Sequence, residues 1–137
     1  MALIHIYDGD YDQPVKLLCP YCDKVVEPIT GERLYPHRPD LWHKRFYRCD
    51  PCDAHVGCHG VSWATLGILA NAELRRAKSK AHEALDPIWR SGDMIRSDVY
   101  AWLANEMGIP LQKCHIGLFD LAECLRVTDL ALRKRGY

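Results

Sequence analysis

Two hydrophobic periods divide this chain of 137 residues. In the first half, short apolar runs alternate with polar positions and are broken by proline, glycine and aspartate. In the second half, apolar residues recur every three or four positions. The first pattern predicts short strands and the second predicts amphipathic helices. Residues 2–7 read as a strand or ordered arm, and residues 8–14, with Gly9 and three aspartates, as a loop. Strands are expected over 15–18, 24–27, 44–48 and 54–57, with a turn at Thr30 and Gly31. From Leu66 onward, Ala70, Leu74, Ala77, Ala81, Ala84 and Leu85 share a helical spacing, with Asn71 as the expected N-cap and Pro87 as the expected stop. A second helix follows Ser97, has Asp98 in its first turn, and buries Val99, Trp102, Leu103 and Met107. Gly108 and Pro110 end it. A third starts at Asp120, where Glu123 completes a capping box, and buries Leu121, Cys124, Leu125, Thr128 and Leu132. Arg133, Lys134 and Arg135 put positive charge at its C-terminus, where the helix dipole favours it.

The four expected strands flank two cysteine pairs, Cys19-x-x-Cys22 and Cys49-x-x-Cys52. Each pair is a short knuckle that presents two thiolates to one side. Two knuckles supply four soft ligands in tetrahedral arrangement, which structural zinc requires. The spacer between them is longer than the usual ~15 to 20 residues. A competing reading is redox chemistry, since Cys-Pro-Tyr-Cys is also a glutaredoxin-type motif. There the first cysteine needs a helix N-terminus to lower its pKa. The β-branched stretch that follows Cys22 and ends at Pro28 reads as a strand instead. Strand, knuckle, strand, twice over, is the layout of a zinc ribbon, in which the metal substitutes for a core that so small a unit cannot build. The expected fold is therefore α+β: a zinc ribbon of short antiparallel strands packed with three C-terminal helices. Residues 1–64 form the N-terminal strand plus ribbon and residues 65–137 the helical part, packed on it as one unit. Separate modules joined near residues 62–65 are the alternative.

Composition narrows the function classes. The apolar fraction of 48% is ordinary, and 18 basic against 18 acidic residues give a formal charge of zero. Residues 1–64 hold 7 Lys/Arg and 9 Asp/Glu, and residues 65–137 hold 11 and 9, so any basic surface is local. Beyond the two pairs, Cys58, Cys114 and Cys124 remain. An odd remainder argues against a disulfide framework and for a reducing, cytoplasmic location. No apolar run of about 18 residues predicts a membrane span, and the first residues lack the pattern of a signal peptide. Nucleotide loops, nucleophile elbows, zinc-protease helices and calcium loops are all missing from the sequence, and no complete catalytic constellation is visible.

Three places offer binding or chemistry. Residues 31–48 carry Arg33, Arg38, Lys44, Arg45 and Arg48 against Glu32 and Asp40, interleaved with Tyr35, His37, Trp42, His43, Phe46 and Tyr47. Cations neutralise phosphates and aromatic faces stack on bases, so Arg38, Lys44, Arg45 and Arg48 are candidate nucleic-acid contacts. The opposing reading is a strand whose aromatics face a core while its charges face water. On the first long helix, Arg75, Lys78, His82 and Asp86 fall along one flank, adding Arg75 and Lys78 to the candidate contacts. His82 and Asp86, four apart, suit a general acid/base pair or a structural hydrogen bond. Cys58 and His59 follow the second knuckle closely, as extra zinc ligands, as partners of His37 or His55 at a second metal, or as packing residues. Cys114 and Cys124 read as small buried hydrophobes.

Several of these strings together resemble one family. They are the Cys19-Pro-Tyr-Cys22 knuckle, Tyr35 to Asp40, the second knuckle through His59, Leu69 to Arg76, His82, Asp86 to Trp89, and Cys114 to Asp120. Over about residues 17–127 the chain is similar to a bacterial and phage family described as a zinc-finger-containing domain. The resemblance implies zinc on Cys19, Cys22, Cys49 and Cys52 and implies no particular activity. Its phage association implies handling of nucleic acid or action against a host machine. The leading expectation is a small zinc-ribbon protein that binds a macromolecule, nucleic acid first, with enzymatic activity left open and leaning to none. A protein–protein inhibitor or adaptor module comes second, and a nuclease-like enzyme using His82 and Asp86 third.

Overall fold

The computed structural model describes residues 12–137, so the arm expected over 2–7 and most of the loop expected over 8–14 lie outside it. The chain divides between Ala72 and Glu73 into two compact units.

The first unit is built on an antiparallel sheet of β1 (Glu27–Thr30), β2 (Arg45–Cys49) and β3 (Ala54–Gly57), in that order. The strands expected over 44–48 and 54–57 are thus present, the first displaced by one residue. Ile29 lies opposite Phe46, and Tyr47 opposite Val56. The strand expected over 24–27 is shifted. Only a single bridge joins Leu18 to Val25, and the strand proper continues through Pro28 to Thr30. Proline is tolerated there because β1 lies at the sheet edge. The expected turn at Thr30 and Gly31 is instead the end of β1 and the start of a one-turn helix, α1 (Gly31–Leu34). Beyond β3, residues 64–70 run alongside that strand. The Leu66 N–H donates to the Gly57 carbonyl at 2.9 Å, and His55 and Ala70 exchange two backbone hydrogen bonds at 3.1 and 3.0 Å.

Successive strand residues point to opposite faces, yet Phe46 and Tyr47 are 9% and 0% exposed. Both faces of the sheet are therefore covered. On one, Tyr47, Cys49, Ala54 and Val56 pack with Leu17, Cys19, Val26 and Leu69. The Tyr47 hydroxyl is satisfied inside this core. It accepts from the Val15 N–H at 3.0 Å and donates to the Trp63 carbonyl at 2.8 Å. On the other face, Phe46, Tyr35 and His55 meet edge to face, and the Tyr35 hydroxyl lies 3.3 Å from His55 Nε2.

A loop over residues 35–44 closes on the start of α1. The Gly31 N–H donates to the Lys44 carbonyl at 2.7 Å. Inside the loop, the Arg38 N–H donates to Tyr35, Leu41 to Arg38, Trp42 to Pro39 and Lys44 to Leu41, at 2.9–3.2 Å. A Cβ on Gly31 would lie 1.7 Å from the Leu41 carbonyl oxygen, so only glycine fits against this carbonyl.

The second unit contains α2 (Ala72–Arg90), α3 (Arg96–Met107) and α4 (Leu121–Lys134). Pro87, the expected stop, lies inside α2, which continues to Arg90. The ring removes one backbone donor, and the Glu83 carbonyl it would have met belongs to an exposed residue that water can serve. Beyond it, Ile88 is buried and the Ser91 N–H donates to the Pro87 carbonyl at 3.0 Å. α3 ends as expected on Gly108, whose φ of 68° lets its N–H reach the Ala104 and Asn105 carbonyls. Its buried face is Val99, Tyr100, Leu103 and Ala104, rotated from the expected one, with Trp102 and Met107 half-buried. α4 opens on the expected capping box. The Glu123 N–H donates to Asp120 Oδ1 at 2.8 Å and the Asp120 N–H to Glu123 Oε1 at 3.0 Å. Its buried stripe is Cys124, Val127 and Ala131, while Leu125, expected inside, is 56% exposed. Three side chains cross within the unit: Lys78 Nζ donates to the Gly117 carbonyl at 2.9 Å, Arg126 to the Glu106 carbonyl at 2.8 Å and Arg135 to the Ala84 carbonyl at 3.2 Å. No helix among the described residues is long and apolar enough to cross a membrane.

Candidate metal centre

Each Cys-x-x-Cys pair sits on a tight reversal between two extended segments. In the first, the Cys19 N–H donates to the Lys24 carbonyl at 2.9 Å and the Asp23 N–H to the Cys19 carbonyl at 2.8 Å. The Tyr21 N–H points at Cys19 Sγ, 3.4 Å away. In the second, Cys49 ends β2, Ala54 begins β3, and the Asp53 N–H donates to the Asp50 carbonyl at 3.1 Å. Both reversals turn on the same device. The residue after the second cysteine, Asp23 or Asp53, takes the left-handed conformation, with φ of 61° and 49°. Aspartate is one of the few side chains that tolerates this region. The repeated Cys-x-x-Cys-Asp string is the sequence signal for it, which the motif reading of the cysteines alone passes over.

The reversals bring the sulfurs of Cys19, Cys22, Cys49 and Cys52 within 4.8 Å of one another, with Cys22 Sγ and Cys49 Sγ 3.6 Å apart. A tetrahedral zinc with bonds of about 2.3 Å needs sulfur–sulfur edges of about 3.8 Å, so this cluster fits the ion. None of the four is in a disulfide. Cys19 and Cys49 are buried, and Cys22 and Cys52 are half-buried. Burial pushes the Cys49 thiol up and the Cys52 thiol up to about 12, whereas a backbone hydrogen bond at Lys24 holds Cys22 below its ordinary value. A dication would reverse the upward pressure, because coordination deprotonates the thiol outright. Four thiolates with no open position describe a structural site, and soft sulfur donors in this geometry select zinc. Cys19 lies after an isolated bridge and before a turn, with no helix N-terminus to activate it, which removes the basis of the redox reading.

Cys58 packs against the same core but stays outside the ligand cluster, and burial pushes its thiol up to about 11. His59 and His37 are exposed. Among the described residues no other group of three or more histidines, cysteines and carboxylates is close enough to hold a metal.

The candidate nucleic-acid contacts are scattered. Arg38 is exposed but forms a two-pronged pair with Asp40 at 3.0 and 2.8 Å, which raises its own pKa and lowers that of Asp40. Lys44 is exposed at the foot of the same loop. Arg45 and Arg48 point to opposite faces of the sheet: Arg45 lies 5.1 Å over the Trp63 ring, and Arg48 pairs with Asp50 at 3.1 Å. Arg75 and Lys78 are half-buried in the second unit. Lys78 is held by Gly117, and burial lowers its pKa. His82 and Asp86 meet at 3.4 Å, but Asp86 is shared with Arg90 at 3.7 Å, the arrangement of a helix-surface ion pair.

Over residues 15–134 the chain matches the family described as a zinc-finger-containing domain. No curated protein and no solved structure matches it. With its four cysteines placed to hold one zinc ion beside a three-stranded antiparallel sheet, the chain belongs to the zinc-finger-containing domain family.

Proposed function

We propose that this protein is a zinc-scaffolded module that binds single-stranded nucleic acid through the loop over residues 35–44. The observation that carries this reading is Trp42, 40% exposed on a loop braced by four internal backbone hydrogen bonds and closed by a fifth from Gly31. A large apolar ring held at the surface of a rigid loop suits stacking on an unpaired base. Around it the loop carries His37, Arg38, His43 and Lys44 against the single carboxylate of Asp40, which Arg38 already neutralises. Lys44 is therefore the loop's available phosphate contact. Arg45 and Arg48, turned to opposite faces and engaged with Trp63 and Asp50, contribute less. The metal site is joined to the loop through β2, which starts directly after Lys44 and ends on the ligand Cys49.

The test is binding of single- and double-stranded DNA and RNA at two salt concentrations. Single strands should bind best. Trp42→Ala should weaken binding roughly tenfold, the worth of one stacked base. Lys44→Ala should reduce the salt slope by about 0.7. Absence of binding to every form, or affinity unchanged in both variants, would overturn the reading and favour a protein partner. Cleavage of the bound strand, lost in His82→Ala, would favour the nuclease-like alternative.

A further inference from the structure

On the second unit, two arginines lie on one indole. Arg90, near the end of α2, has its guanidinium carbon 5.2 Å from the Trp89 ring centroid, and Arg96, which begins α3, lies 5.7 Å from the same centroid. Arg96 is also 4.7 Å from the ring centre of Tyr100. Stacking holds a guanidinium by its face and leaves the donors along its edge for a ligand. Both arginines are exposed. Asp86, 3.7 Å from Arg90, is the one carboxylate in ion-pair reach of either among the described residues. It is largely covered and already meets His82. Arg96 has no carboxylate partner among them. The covered Trp89 Nε1 has no hydrogen-bond partner, so the ring serves here through its faces.

The position of Arg96 adds a further electrostatic term. It is the first residue of α3, whose N-cap, Ile95, offers no side-chain hydrogen bond. A cation placed on the positive end of a helix dipole is unfavourable by itself, and a bound anion relieves it. Asp98 in the first turn offsets part of this charge. Two exposed guanidiniums held on one indole, beside an uncapped helix start, offer the positive charge and the N–H donors that a phosphate group accepts.

We propose that Arg90 and Arg96, braced on Trp89 and Tyr100, form a phosphate-binding site. Its ligand is either a backbone phosphate of a nucleic-acid single strand, an assignment that rests on the proposed function, or a free phosphate compound. The zinc-loaded full chain is titrated with pyrophosphate and, separately, with a short oligothymidylate. Arg90→Ala and Arg96→Ala should each weaken binding of one or both probes by about tenfold, the loss expected for a charge-assisted hydrogen bond. Arg96→Lys should restore little, because an ammonium has no plane to stack. Arginine-dependent loss with the oligothymidylate supports a backbone contact. The same loss with pyrophosphate alone supports the site and assigns it to a free phosphate compound, whatever the loop binds. Oligothymidylate binding that Trp42→Ala weakens and neither arginine variant changes, together with no pyrophosphate binding, overturns the site and leaves the loop reading standing. Failure of both probes to bind the parent overturns the site as well.

Discussion

Gly31→Ala should be among the most damaging single-methyl changes in the first unit. The added Cβ would lie 1.7 Å from the Leu41 oxygen and 2.6 Å from its carbonyl carbon. To reach ordinary contact the carbonyl must retreat by about 1.5 Å. The obstacle is backbone, so no rotamer change relieves it. Retreat strains two hydrogen bonds that close the loop, Gly31 N–H to Lys44 at 2.7 Å and Lys44 N–H to Leu41 at 3.0 Å. Each is worth about 1 kcal/mol net, and overpacking itself costs about 1–3 kcal/mol. The combined loss should be about 3–5 kcal/mol, toward the exceptional end for a point mutation. Gly57→Ala is the internal control. Its Cβ would meet Leu66 and Phe46 side chains at 3.5 and 3.6 Å, ordinary contact, so the change should stay within about 0.5 kcal/mol. Urea unfolding of the zinc-loaded protein, followed by near-ultraviolet circular dichroism, measures both. Gly31→Ala should also weaken single-strand binding while zinc is retained, because the displaced segment carries Trp42. Equal unfolding midpoints for Gly31→Ala and the parent, or equal damage from the two glycine variants, would refute the steric argument.

Three further outcomes follow from the structure. Elemental analysis should find about one zinc per chain, and Cys49→Ser should lose the metal and the fold of the first unit together. A metal-free chain that keeps its sheet would sink the structural role. In the second unit, burial raises the Cys124 thiol from an ordinary value near 9.0 up to about 11. A raised folded pKa means stability that is complete below the unfolded value and lost as pH rises through the folded one. Cys124→Ala should therefore cost on the order of 1 kcal/mol at neutral pH, keep its zinc, and decline less than the parent in thermal melts between about pH 9 and 11. A parallel decline in both would exclude Cys124 as the cause. Asp120→Ala should cost about 1 kcal/mol by removing the α4 cap, read as a lower melting temperature, whereas Asp120→Asn should keep most of it.

Sequence reasoning reached furthest where one short-range rule decides. Residues 54–57 form β3, Gly108 ends α3, and Asp120 with Glu123 caps α4, because each depends on neighbours within a turn. The knuckles were legible for the same reason, since thiolate spacing and a metal's geometry leave little freedom. Pro87 misled because the local rule counts the lost hydrogen bond and not the burial of Ile88 beyond it. The charged, aromatic stretch over 31–48 could not be resolved from composition. Which aromatic is exposed, Trp42 and not Phe46, depends on a sheet covered on both faces. Which cation is available depends on partners distant in sequence or at a turn, such as Trp63 for Arg45 and Gly117 for Lys78. The Trp89–Arg96 contact is equally invisible, because it joins the end of one helix to the start of the next.

The placement of Pro28 limits how this protein can meet a partner. The Gly31–Lys44 hydrogen bond and the strand register set the ladder's alternation, so residue 28 occupies a position whose backbone nitrogen faces outward. Proline has no hydrogen there to offer. The next outward donor, Val26 N–H, is taken by the Leu17 carbonyl at 3.0 Å, leaving only Thr30 in β1 to aim one away from the sheet. On the far side, the segment containing Leu66 and Ala70 already occupies β3. Along β1 and β3, among the described residues, an extended peptide therefore finds no run of backbone donors to zip onto, and strand addition at those two edges is disfavoured. At these two edges the sheet offers side chains rather than backbone, so a screen for ligands there is built around rings and charges.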